Sequence, residues 1–154
     1  MNKKFLAALA MSALILGACG DKEEENHSDH QNEMMQEVMV EIQTAKELPV
    51  GEEVILSAKV TQGEEAVNDA DHVEFEVWES GLRENSQMID GELTEDGIYE
   101  ASFTFDHDGV YYMFAHTTAR GLHVMPKQEL IVGEPNMENV LPDNSDNSMK
   151  KHGK

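Results

Sequence analysis

The chain has 154 residues, 31 of them acidic and 11 basic, for a formal charge of −20 at pH 7. That balance argues against a nucleic-acid partner, whose phosphates demand cations, and it suits a cationic ligand such as a metal ion. One cysteine, Cys19, leaves the rest of the chain without a disulfide or a thiolate metal site.

Met1-Asn2-Lys3-Lys4 is a short basic start, and Phe5 to Leu16 is almost wholly apolar and carries no charge. This is the pattern of an export signal, and it is shorter than the roughly 20 apolar residues a membrane span needs. It ends in Leu16-Gly17-Ala18-Cys19, which resembles the bacterial lipobox. The resemblance implies that residues 1–18 are a lipoprotein signal peptide and that Cys19 becomes the first mature residue, acylated on sulfur. Losing Lys3 and Lys4 with the signal takes the formal charge from −20 to −22. The expected location is the extracytoplasmic face of the cell membrane, held by the lipid anchor.

Residues 19–36 have no hydrophobic period and read as a disordered acidic tether. They contain His27, His30, Met34 and Met35, a weak secondary set of candidate metal ligands. Period-two alternation begins after them. Strands are expected at 38–44, at 54–60 (Val54, Leu56, Ala58 and Val60 on one face), at 73–77 (Val73, Phe75 and Val77), at 99–105 and at 111–115, with a last strand at 128–132. A short strand near 86–93 is a weaker expectation. The Asp96-Gly97 and Asp108-Gly109 pairs punctuate the pattern as turns. No segment of the domain carries a helical period. About seven short strands indicate an all-β, immunoglobulin-like antiparallel β-sandwich over 37–133, with Tyr111 placed like the corner tyrosine of such folds. Residues 134–154, with Pro135, Pro142 and an Asp-Asn-Ser run, read as a disordered tail.

Gln62-Gly63…Val67-x-x-Ala70…Val73-x-Phe75, Asp96-Gly97-Ile98-Tyr99, and Gly109-Val110-Tyr111-Tyr112…His116 continuing to Gly121-Leu122-His123-x-Met125-Pro126 resemble the YtkA-like domain, related to FixH-like proteins. The resemblance spans about residues 36–133. It implies a small β-sandwich envelope protein, often a lipoprotein, in a family some of whose members are joined to copper-handling modules.

The residues with metal chemistry are His116, His123, Met125 and His72. A two-residue turn at Ala119-Arg120 would set His116 opposite His123. A register change of one residue would set it opposite Leu122 or Val124 instead. Directly opposed side chains have Cβ atoms about 4.5–5.5 Å apart, close enough to share an ion. Met125 follows two residues after His123, on the same face. In the immunoglobulin-like topology the strand begun by His72 lies beside this hairpin. Imidazole binds copper, zinc and nickel, and thioether favours Cu(I), so copper is the expected ion. His107, between Asp106 and Asp108, reads as solvated. Trp78 and Arg120 are possible partner contacts, although an aromatic residue in such a strand more often covers the edge of a core. No nucleophile, phosphate-loop, dinucleotide or zinc-protease motif is present. The expectation is therefore a binding protein rather than an enzyme: copper capture or delivery at the membrane, toward assembly of a copper enzyme. The alternative is a metal-independent module that docks on an envelope or membrane complex.

Overall fold

The computed structural model describes residues 36–146. The eleven strands are β1 (Val38–Ile42), β2 (Glu47–Leu48), β3 (Glu53–Gln62), β4 (Glu65–Ala66), β5 (His72–Glu79), β6 (Gln87–Asp90), β7 (Glu92–Glu95), β8 (Ile98–Thr104), β9 (Gly109–Ala119), β10 (Leu122–Val124) and β11 (Lys127–Val132). One sheet runs β1-β3-β8-β7 with β4 beside β3, and the other runs β2-β11-β9-β5-β6 with β10 also on β9. The pairings are antiparallel except for the short parallel β2–β11 contact. This is the immunoglobulin-like β-sandwich that the alternation indicates.

The core forms because each strand turns one apolar set inward. Val54, Leu56, Ala58 and Val60 of β3 and Tyr99 of β8 face Val73, Phe75 and Val77 of β5, Met113 and Ala115 of β9, and Leu130 and Val132 of β11; all are buried. Tyr111 donates its hydroxyl to the His107 carbonyl at 3.1 Å, the backward hydrogen bond that defines a tyrosine corner. The weakly expected strand at 86–93 is two strands. The chain leaves one sheet after Asp90 and joins the other at Glu92, crossing at Gly91 beside Val73 and Phe75. That crossing interrupts the alternation, which is why one blurred segment stood in the sequence for two elements.

The expectation of a loose tail from residue 134 needs correction for residues 134–146. Ser80 Oγ donates to the Leu141 carbonyl at 2.6 Å, and Arg83 Nη1 to the Ser145 carbonyl at 2.8 Å. Lys127 Nζ lies 2.7 Å from Asp143 Oδ2, and Ser145 is buried. Backbone carbonyls of Leu141 and Ser145 accept the first two of these bonds, and the Asp143 carboxylate supplies the third contact. The segment attaches to the outer side of the six-stranded sheet.

Candidate metal centre

The outer face of the six-stranded sheet carries the chemistry. On β5 it presents His72, Glu74, Glu76 and Trp78, because Val73, Phe75 and Val77 take the inner positions. On β9 it presents Tyr112, Phe114, His116 and Thr118, alternating with buried Tyr111, Met113, Ala115, Thr117 and Ala119. β5 and β9 are neighbours, with Glu74 opposite His116, Glu76 opposite Phe114 and His72 opposite Thr118.

The hairpin register differs from the expected one. Leu122 pairs with Ala119 and His123 with Thr118, so the turn is Arg120-Gly121 and not Ala119-Arg120. Both turn residues have positive φ, 53° and 77°, as the hairpin-favouring type I′ turn requires. Glycine takes that conformation without penalty, whereas the earlier placement would have forced it on Ala119. Moving the turn by one residue moves the pairing by two, so the face on which each side chain lies is unchanged. The same register continues into β11, where Lys127 pairs with Phe114. Met125, between the two strands, therefore stands opposite His116. Pro126 keeps the ladder by accepting from the Ala115 N–H at 3.1 Å.

His116 and His123 thus sit diagonally on one face, with ring centroids 5.8 Å apart and ring planes 26° from parallel. A metal–imidazole bond of about 2.0–2.1 Å puts an ion about 3.2 Å from the ring centre, so two rings sharing an ion have centres about 5–6 Å apart. The observed separation fits. Met125, 39% exposed, supplies a thioether in the same row.

Hydrogen bonds orient both rings. His116 Nε2 lies 2.8 Å from Glu76 Oε2. Glu76 is 7% exposed, and its carboxylate is also gripped by Arg83, Nε to Oε1 at 2.9 Å and Nη2 to Oε2 at 3.1 Å. Burial pushes the Glu76 carboxyl upward, but hydrogen bonds from Arg83 and His116 and the Arg83 charge outweigh it and hold it below the usual 4.5. An ionised carboxylate only accepts, so His116 Nε2 donates to it, and Nδ1 is the ring nitrogen left to face an ion. His123 Nδ1 lies 3.1 Å from Thr118 Oγ1, which leaves Nε2 for the same purpose. A carboxylate behind a ligating imidazole raises its basicity and fixes its orientation.

His72 falls in a different group. Its Nε2 is 3.5 Å from Glu74 Oε2, and it clusters with Glu74 and with Asp90 of β6. His107 is not merely solvated, since its Nε2 meets Glu79 at 3.0 Å and the Tyr111 hydroxyl at 3.1 Å. Trp78 is 2% exposed, which corrects its reading as a partner contact. It packs against Phe114 and Tyr112 with the Arg83 guanidinium 5.2 Å from its ring. Arg120 pairs with Asp69 at 2.9 Å from the hairpin tip. Cys19, His27, His30, Met34 and Met35 lie outside the described residues.

The YtkA-like family model matches residues 32–116, more than half of the chain. The chain belongs to the YtkA-like family. The match reaches His116, so His123 and Met125 of this YtkA-like protein follow the matched region. No curated protein matches the chain. Similar solved structures include an endo-β-1,4-mannanase from Thermotoga petrophila (16% identity, TM-score 0.49, 68% of this chain and 22% of that one). The chain thus spans less than a quarter of the mannanase's length. Others are the PmoD soluble domain from a Methylocystis species (15% identity, TM-score 0.46, 65% of this chain and 98% of that one) and a superoxide reductase from Ignicoccus hospitalis (12% identity, TM-score 0.45, 64% and 82%).

Proposed function

We propose that this YtkA-like protein is a lipid-anchored envelope protein, fixed through Cys19, that captures copper at the outer face of the cytoplasmic membrane and hands it to a copper-enzyme assembly partner. His116, His123 and Met125 are the ligands in this reading. The observation that carries it is the pair of imidazoles 5.8 Å apart on one face, with the ring of His116 held from behind by an ionised, buried glutamate. Two imidazoles and a thioether accept Cu(I) and Cu(II), with the sulfur favouring Cu(I). The partly exposed position of Met125 leaves the ion open to ligand exchange, which delivery requires. The acidic charge of the chain raises the local cation concentration.

The test is a copper titration of the chain carrying His27→Ala, His30→Ala, Met34→Leu and Met35→Leu, so that the tether's candidate ligands do not contribute. One equivalent of Cu(I) is expected to bind, and adding His116→Ala and His123→Ala is expected to remove it while circular dichroism stays unchanged. Undiminished copper affinity in the folded variant overturns the assignment. A parent chain that takes up no copper would favour the docking-module alternative.

A further inference from the structure

We infer that the same sheet face holds a second cation site, built from His72, Glu74 and Asp90, that takes a borderline divalent ion of the Zn(II) type. Strand geometry makes the site. His72 and Glu74 are two residues apart on β5, so they share a face, and Glu74 stands directly opposite Asp90 of β6. The ligand atoms of the three residues lie within 4.8 Å of one another. A single ion about 2.0–2.2 Å from each nitrogen or oxygen donor spans such a set with small side-chain adjustments.

The charges around the cluster favour a cation. Two carboxylates are set side by side on neighbouring strands, and like charges directly opposite each other repel. Among the described residues, Glu74 pairs with His72, and no lysine or arginine pairs with Glu74 or Asp90. Glu76, two residues along the same strand, has by contrast its own arginine. One imidazole and two carboxylates with open positions for water suit Zn(II), and also Cu(II), which binds more tightly to nearly any such set. The absence of sulfur disfavours Cu(I). The site therefore differs in preference from the His116, His123 and Met125 group. It removes His72 from the ligand set expected there.

Zn(II) titration of the chain carrying His27→Ala and His30→Ala, read with a chromophoric competitor, tests the inference. One equivalent is expected to bind. Adding His72→Ala and Asp90→Asn is expected to weaken Zn(II) at least about tenfold and to leave Cu(I) binding unchanged, with circular dichroism confirming the fold. Adding His116→Ala and His123→Ala instead is expected to leave Zn(II) binding in place. The inference is overturned if the parent takes up no Zn(II), if the His72/Asp90 variant retains its affinity, or if Zn(II) is lost with His116 and His123. Loss of Cu(I) binding in the parent would sink the copper reading alone and leave this one standing.

Discussion

Glu76 sits between an arginine and a histidine, and both contacts depend on its charge. Glu76→Gln keeps the volume, removes the charge, and leaves Arg83 facing a neutral amide. Copper affinity is expected to fall about tenfold, as for other carboxylates that support a ligating imidazole. Stability at pH 7 is expected to fall by about 1–3 kcal/mol, from the weakened grip on partly buried Arg83. The pH dependence follows from the lowered pKa of Glu76. A carboxyl held below its unfolded value contributes stability that is complete above about 4.5 and is lost as pH falls through the folded value. Urea midpoints of parent and variant should therefore differ most near neutrality and converge as pH falls below the usual carboxylate value of 4.5 and through the lowered value of Glu76. A pH-independent gap would show that the charge is not what matters. Nothing in the sequence distinguished Glu76 from the other acids among 31. Its position became visible only when Arg83, placed by the turn after β5, was seen folding back onto it. His72 stood out as a candidate ligand from its strand position, but its carboxylate neighbours were hidden by the same abundance.

Alternation made the strands legible, since Val, Phe and Tyr at every second position leave few other solutions. Turns were less legible. Ala119-Arg120 and Arg120-Gly121 are both two-residue possibilities, and the signal for the second is its glycine, which the positive φ of a type I′ turn favours over Ala119. Two turn glycines separate two kinds of cost. Gly121 has φ 77° and open space where a Cβ would point, so Gly121→Ala pays backbone strain alone, about 1–2 kcal/mol. Gly97 has φ 72°, and a Cβ there would lie 2.5 Å from the Val60 carbonyl oxygen, which accepts nothing from a methyl group. Thermal denaturation should find Gly97→Ala clearly more destabilising than Gly121→Ala. Equal losses would mean that the loop after β7 gives way freely.

The described molecule is a sandwich with one face of one sheet partly covered by its own C-terminal segment. That cover escaped the sequence reading because prolines, asparagines and serines fit a tail and a docked strap equally well; the difference lies in Ser80, Arg83 and Lys127, which receive it. Ending the chain after Gly133 should lower stability by about 2–4 kcal/mol, from several hydrogen bonds worth about 1 kcal/mol each, read as a reduced urea midpoint. An unchanged midpoint would show that the segment merely rests on the sheet. The continuous pairing from Leu122 through Lys127 has a further consequence for the chain as a whole. Strand positions count in twos, so one residue inserted between Gly121 and His123 would swing the imidazole and the thioether into the hydrocarbon interior and expose Val124 to water. Hairpin length here is a chemical parameter: an odd-numbered change in it would part the candidate ligands while every one of them was still present in the chain.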